Sequence, residues 1–439
     1  MDGSRVITVL EHESVPVVSD SGVDRRLSLE ENGEASPWLT EAEAAGLLGI
    51  NDVRPGFCER TASGVRFAQY CGVLRLGSVV IEVLPKTGMG DARLPEEVGG
   101  ARRALLTMLS TANKVRLTAM DHVGQASVHT PLLEIFVQAF LQCALDQARR
   151  GLVFRYLSRT DNLTVARGRF HVHGHIRENL ARPHLLHCEF DEFTADNPYN
   201  RAVRAALDVC RPWVKTSQGH RMWFEAHARF ADISSVRMGA SDIANLHSDR
   251  TTRHYEPLLD WCGLLLGLLN PSLRAGPDNA PGLLFDMNRL FEAYVQHVEA
   301  RGAEPGTRVR TQEASRHLAT CGDSPAFTLK PDISVWKSRA DGGEEVIRIL
   351  DAKWKRIDPG KTNWGVGEAD VYQLLAYAVR YQCSRLELVY PAPDDMPEKA
   401  EPPVFAIASP HLTATVELRV RTIHLGRPAH PAKHGVAPP

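Results

Sequence analysis

The sequence has no pair of cysteines at Cys-x-x-Cys spacing. Its 8 cysteines stand apart along 439 residues, at 58, 71, 143, 188, 210, 262, 321 and 383. Zinc or iron–sulfur ligation is therefore not expected, and a chain this long does not need a disulfide framework. Reduced thiols and a cytoplasmic location are the expectation. Long apolar runs are also missing. The stretch Leu264–Leu269 is far short of the about 20 residues that span a bilayer, so no membrane association is expected. The first residues lack the basic start and apolar core of a secretory signal. No excess of either charge exists: 51 Lys and Arg face 53 Asp and Glu. A nucleic-acid enzyme with this balance needs a local positive surface. A phosphate-binding loop is lacking as well. Gly360-Lys361-Thr362 looks like the end of GxxxxGK[ST], but the required first glycine falls on Lys355. No nucleotide is expected to bind this chain.

What is present is an ordinary globular composition, 43% apolar and 24% charged, long enough for two or three domains. The fold class expected is α/β, or α+β overall. A β-rich region covers 1–120, a mainly helical region 121–278, a domain of alternating elements 279–425, and a disordered tail 426–439. Residues 5–10 read as a strand and 14–36 as a loose loop. Thr40 is placed to cap a helix over 41–48. Stretches 65–70 and 73–84 alternate and read as a β-hairpin or part of a small barrel. A connector follows over 88–100. Apolar residues at helical spacing mark 101–113 and 131–149. Gly276–Gly282, with two prolines and two glycines, breaks any regular element.

Beyond that break the order read is α-β-β-β-α-β: a helix over 286–301, strands near 307–312, 327–336 and 345–354, a helix over 368–381, and a strand over 386–390. Side chains alternate across a strand, so Asp351 and Lys353 project to one face. A carboxylate there can hold a hard divalent cation, and a lysine beside it can orient the attacking water and offset charge on a phosphate. Asp332, after Pro331 on a neighbouring strand, is a candidate second metal ligand. On the next helix Val371, Leu374, Leu375 and Ala378 form an apolar stripe. Gln373 and Tyr377, at i and i+4, are expected to share a different, polar face with Arg380 one turn on. Each signal alone is weak, since Asp-x-Lys is common by chance and such pairs are often surface ion pairs. The three in order within about fifty residues are what point to phosphodiester hydrolysis with a metal.

This pattern resembles the PD-(D/E)xK nucleases, in the branch with a Gln-xxx-Tyr helix. More closely, the stretches 286–295, 329–332, 349–355 and 370–377 are similar to the McrC family, the nuclease subunit of McrBC-type modified-cytosine restriction systems. The likeness extends to 70–77 with 81–86, to 168–171 with 175–179, and to Asp191-Glu192, Asp196 and Asn200-Arg201, so it covers most of 65–390. The resemblance implies a C-terminal PD-(D/E)xK restriction-endonuclease-like domain with Asp332 and Asp351 binding Mg²⁺ (Mn²⁺ as an alternative) and Lys353 as catalytic lysine. It implies a supporting role for Gln373 and Tyr377, and an acidic position at Glu292. It also implies double-stranded DNA as substrate, 5′-phosphate ends, and docking through the N-terminal region, around Val73–Lys86, onto a hexameric McrB-type AAA+ GTPase that reads the modified base.

Other signals have blander alternatives. Arg149–Arg182 holds eight arginines against Asp161 and Glu178, a candidate phosphate surface or a solvated face balanced by Glu189, Asp191, Glu192 and Asp196. His171, His173 and His175 would share one face of a strand, with Gly174 as a bend; a metal site there lacks a clear fourth ligand. Trp213, Trp223 and Trp261 suit core packing better than base stacking. Two alternatives to the restriction nuclease stay open: a catalytically silent scaffold that stimulates an AAA+ NTPase, and a stand-alone repair exonuclease.

Overall fold

The computed structural model describes residues 5–19, 37–77, 79–86, 95–112, 130–269, 282–393, 396, 400–408 and 415–425. Most of the expected 14–36 loop, most of the 88–100 connector, the break at Gly276–Pro281 and the tail 426–439 lie outside them. The chain forms two compact units. One gathers both ends of the sequence, up to Leu117 and from Leu284 onward; the other is built from Pro131–Leu283.

The N-terminal part of the first unit holds β1 (Arg5–Leu10), β2 (Ser14–Val18), β3 (Leu39–Thr40), α1 (Glu41–Gly49), β4 (Cys58–Arg60), β5 (Gly64–Phe67), β6 (Tyr70–Leu76), β7 (Val79–Leu84) and α2 (Pro95–Thr111). Thr40 caps α1 as expected. Its hydroxyl accepts the Glu43 N–H at 3.2 Å, and the Glu43 carboxylate accepts the Thr40 N–H at 2.8 Å, a reciprocal box that satisfies two end donors. Residues 14–18, expected in a loop, form β2, because the backbone groups of Ser14 to Pro16 find partners on β5. The hairpin also differs from expectation. β6 and β7 pair with each other, the chain reversing near Gly77 at φ 55°, a conformation that favours glycine. β5 instead joins β4 and β2 in a separate small sheet. β7 is buried along its whole length, including Glu82. That carboxylate takes two 2.7 Å bonds from Arg102 of α2 and one of 2.8 Å from the Thr8 hydroxyl.

The second unit carries α3 (Leu132–Arg150), β8 (Arg155–Leu163), β9 (Arg169–Phe170), α4 (Val172–Asn179), β10 (Leu186–Thr194), α5 (Pro198–Cys210), α6 (Ser217–Arg229), α7 (Ala240–Ala244) and α8 (Glu256–Leu269). It is helical in the main, with β10 central in a three-stranded sheet. The histidine stretch is not a strand. His171 caps α4, its Nδ1 accepting the Gly174 N–H at 3.0 Å, so His173 and His175 lie on a helix. Gly174 is needed for close approach: a Cβ there would stand 2.3 Å from the His187 ring. Trp213, Trp223 and Trp261 are buried in the core. Of the eight arginines, Arg149, Arg155, Arg159 and Arg177 form ion pairs, Arg159 with Glu192 at 2.8 Å.

The C-terminal part of the first unit begins with β11 (Gly282–Asp286), which lies beside β6 in the order β1-β7-β6-β11. Asp286 caps α9 (Met287–Arg301), accepting the N–H of Asn288 at 2.9 Å. Then come β12 (Thr307–Thr311), β13 (Arg316–Cys321), β14 (Ser324–Leu329), β15 (Ile333–Ser338), β16 (Glu344–Ala352), α10 (Glu368–Tyr381), β17 (Arg385–Pro391), β18 (Val404–Ile407) and β19 (Val416–Ile423). Six strands form one mixed sheet in the order β12-β15-β16-β17-β19-β18, and β13 with β14 is a separate hairpin. The strand expected over 327–336 is two strands. β14 ends at Leu329 in its hairpin with β13, and β15 starts at Ile333 in the six-stranded sheet; Pro331, which has no N–H to donate, lies between them. β16 shows two faces: Arg348 reaches Glu299 on α9, while Ile349 joins the core cluster that includes Leu374 and Ala378 of α10.

The Glu82–Arg102 pair should be needed for the first unit. Arg102→Leu strands a buried carboxylate and should cost about 3–5 kcal/mol, read from the shift in denaturant midpoint. Adding Glu82→Leu should recover most of that loss. A single-variant cost below about 1 kcal/mol, the range of an exposed pair, would overturn this role.

Candidate active site

The end of β16 gathers the candidate residues. Asp351 is 1% exposed, held there because its strand lies between β15 and β17 in the interior of the sheet. Lys353, two residues on, places Nζ 2.6 Å from Asp351 Oδ2, 3.2 Å from Gln373 Oε1 and 3.5 Å from Asp370 Oδ1. Asp332, twenty positions upstream, is fixed against the same strand end, its Oδ2 accepting the Ala352 N–H at 2.9 Å. Gln373 Nε2 donates to the Tyr377 hydroxyl at 2.8 Å and lies 3.4 Å from Asp351 Oδ1. The Tyr377 hydroxyl in turn donates to the Lys330 carbonyl at 3.1 Å. Glu292 of α9 accepts from Gln296 Nε2 at 2.8 Å and from Gln312. Gln296 Nε2 also lies 3.5 Å from the Asp332 carbonyl.

All six residues read from sequence thus converge on one end of the sheet, but their helix faces differ from expectation. Tyr377 does not share an exposed polar face with Arg380. Its ring is buried with Leu374 and Ala378, and only its hydroxyl reaches the polar cluster. Asp370, not among the residues expected from the sequence, also belongs to the cluster. It sits in the first turn of α10, buried, with Oδ2 3.1 Å from Lys355 Nζ and its other oxygen towards Lys353. The available signal was its place three residues before Gln373 on one helix face, in a first turn that favours acids.

Electrostatically the site holds more acid than base. Burial pushes the Asp332 carboxyl up to about 7, helped by the charges of Asp351 and Glu292. Asp351 is raised too, by burial, against the lowering effect of Lys353. Burial pulls the Lys353 ammonium down, but Asp351, Asp370 and Asp332 outweigh it and raise it overall. Among the described residues no group of three or more His, Cys, Asp or Glu side chains stands ready to hold a metal by itself. A cation here would use the carboxylates of Asp332 and Asp351 with water completing its shell. That hard-oxygen set, crowded with negative charge, fits Mg²⁺ or Mn²⁺ and does not suit a soft-ligand metal.

Residues 65–391 match the family model described as McrBC 5-methylcytosine restriction system component. The chain belongs to this McrBC family. Among solved structures, the McrBC-family chain is similar to a chain of the refined half-complex from the tetradecameric assembly of Thermococcus gammatolerans McrB AAA+ hexamers with bound McrC. The TM-score is 0.67 at 17% identity, covering 97% of this chain and 96% of that one. At that identity the likeness speaks for the fold alone, over nearly the whole length of both chains. The cryo-EM structure of the Thermococcus gammatolerans McrBC complex overlaps more loosely, with TM-score 0.46, 18% identity, and 68% and 88% coverage. No curated protein matches the chain.

The raised Asp332 gives a pH-dependent prediction for the metal-free chain. The folded carboxyl keeps its proton up to about pH 7, whereas its ordinary value is 3.8. Wild type should therefore lose stability as pH rises from about 4 to about 7. Asp332→Asn, with no charge to bury, should be the more stable at pH 8 by on the order of 1–3 kcal/mol in the presence of a chelator. Denaturation at pH 5 and pH 8 is the check; an equal difference at both would sink the assignment.

Proposed function

We propose that this McrBC-family chain is the DNA-cleaving subunit of a modification-dependent restriction complex in the cytoplasm, with a PD-(D/E)xK-type domain in its C-terminal part. The observation that carries this reading is the approach of Lys353 Nζ to Asp351 at 2.6 Å with Asp332 anchored to the intervening residue at 2.9 Å. A scaffold has no physical need for the buried carboxylates of Asp351 and Asp370 around one ammonium with the half-buried Asp332 beside them.

The roles follow from chemistry. Asp332 and Asp351 would hold Mg²⁺. When bound, the ion supplies Lewis acidity, lowering the pKa of water and offsetting charge on the phosphate. Lys353 orients the water and stabilises charge developing on the phosphate oxygens. Gln373 holds Lys353 in place through its carbonyl, and Tyr377 fixes Gln373 through its hydroxyl. Glu292 holds Gln296 and Gln312, which line the approach to Asp332. Asp370 shares Lys353 with Asp351 and so sets where the ammonium points.

The solved relative's own description names McrB AAA+ hexamers with bound McrC. On that basis the partner of this chain is proposed to be an McrB-type AAA+ GTPase ring that supplies movement along double-stranded DNA and reads the modified base. No helix among the described residues is long and apolar enough to cross a membrane.

The test is plasmid cleavage by the chain co-purified with its AAA+ partner, given Mg²⁺, GTP or ATP, and methylated or unmethylated DNA. Cleavage should require partner and nucleotide and leave 5′-phosphate ends. Asp351→Ala and Lys353→Ala should each lower it by at least on the order of 10²-fold, while still stimulating the partner's NTPase. Undiminished cleavage by Asp351→Ala would overturn the reading. No cleavage by wild type, with stimulation intact, would establish the silent activator instead.

A further inference from the structure

The residue after the catalytic lysine is tied to the other end of the chain. Trp354 donates its indole N–H to the carboxylate of Glu11, 3.0 Å from one oxygen and 3.1 Å from the other. Glu11 follows β1, is 3% exposed, and also accepts the Lys86 N–H at 2.9 Å, with Cys71 Sγ 4.0 Å from its second oxygen. Its own N–H donates to the Leu84 carbonyl at 2.8 Å, so its backbone is set by the end of β7. The Trp354 ring packs on Phe291 of α9 at 5.4 Å between centroids, next to Glu292.

A glutamate buried this far is costly unless donors meet it. Burial pushes Glu11 up to about 7, against the lowering effect of the Lys86 and Trp354 bonds. Its two short-range nitrogen donors come from the segment after β7 and the segment leaving the catalytic strand, with the weaker Cys71 thiol of β6 beside them. The Lys353 N–H donates to the Val389 carbonyl at 2.9 Å, and its carbonyl accepts only the local Lys355 N–H at 2.9 Å. After Ala352 the strand ends, and the side chain that follows Lys353, Trp354, is fixed by its indole bonds to Glu11.

We infer that Glu11 is a positioning residue for the catalytic site, fixing Trp354 and through it the direction of the Lys353 side chain. The inference rests on the nuclease reading. It adds the Glu11 carboxylate to the groups that aim the lysine, although no atom of Glu11 touches substrate. Displacing a catalytic group by about 1 Å can cost on the order of 10²-fold in rate, so the effect should fall on turnover and not on DNA affinity.

The experiment uses the full complex with its AAA+ partner, Mg²⁺ and saturating DNA, well below the melting temperature. Glu11→Leu and Trp354→Phe should lower the single-turnover cleavage rate by about 10- to 100-fold with DNA binding within about threefold of wild type. Glu11→Gln keeps a carbonyl acceptor and should stay within about threefold. Val9→Ala, a cavity on the same strand, provides a variant of lowered melting temperature that does not touch Trp354. Its cleavage rate should hold. A second readout needs no cleavage: in the metal-free complex, amide hydrogen exchange over Ala352–Lys355 should quicken in Glu11→Leu and not in Val9→Ala. If wild type cleaves and Glu11→Leu and Trp354→Phe keep its rate, the positioning role falls alone. If Glu11→Gln fails as badly as Glu11→Leu, or Val9→Ala slows cleavage equally, the effect is one of general stability and the role is overturned. A wild-type complex that does not cleave overturns the nuclease reading and this inference with it.

Discussion

Asp351 lies almost out of reach of water, and an isolated carboxylate in that position is strongly disfavoured. Its nearest compensation is the Lys353 ammonium at 2.6 Å. The spacing of two residues on a strand delivers both groups to one side without a loop to bring them together. The compensation is incomplete, because Asp332 and Asp370 crowd the same ammonium. An unbalanced acidic site persists only where a rigid surround holds it. The interior sheet position of β16, the buried ring of Tyr377 and the anchoring of Asp332 to the Ala352 amide all serve that constraint.

The same strand carries a second charged network on its other face. Arg348 bonds Glu299 at 2.6 Å and Glu387 at 3.1 Å, and Arg421 bonds Glu299 at 2.6 Å. Slipping a strand by one residue exchanges its faces. In β16 that slip would turn Arg348 into the apolar cluster around Leu374 and turn Asp351 and Ile349 towards Glu299. Either half of that exchange leaves a charge buried without its partner, at a cost of several kcal/mol. The register that places Asp351 is therefore enforced from both sides of the sheet, by apolar packing under α10 and by paired charges under α9.

Much of this was legible in the sequence where the signal is local. The Thr40 cap, the α10 stripe and the i, i+2 placement of Asp351 and Lys353 all depend on neighbours within a few residues, and spacing alone reports them. β19, not among the expected strands, carries an equally local signal: Val416, Leu418 and Val420 are buried in strict alternation with Glu417 and Arg419. The β13–β14 hairpin gave no such pattern, because most of its residues are exposed on both faces. The hairpin partner of β7 is ambiguous in the sequence because 65–70 and 73–84 alternate alike, and pairing is decided by the reversal near Gly77. Asp370 escaped because an acid in a first helical turn has a sufficient explanation in the helix dipole. Glu11 and Trp354 lie 343 positions apart, and no spacing rule connects them.

That long-range bond belongs to a larger physical fact. Both ends of the chain form one compact unit. β11 lies beside β6, and the first amide of α9, that of Met287, donates to the Gln69 carbonyl at 2.9 Å. The helix that carries Glu292 therefore starts from the N-terminal sheet, just as the segment after Lys353 is pinned to it by Trp354. Two of the elements that frame the site, α9 on one side and the exit of β16 on the other, take their bearings from residues in the first ninety positions. A force applied to the β6–β7 hairpin region has two short, hydrogen-bonded routes to the carboxylates. One runs through Gln69 and Met287 along α9 to Glu292, the other through Lys86 and Glu11 to Trp354. Coupling between sites needs an element with two arrangements, not only a path. The Glu11–Trp354 contact is the better candidate, because a single side-chain bond can break while the sheet hydrogen bonds around it stay made.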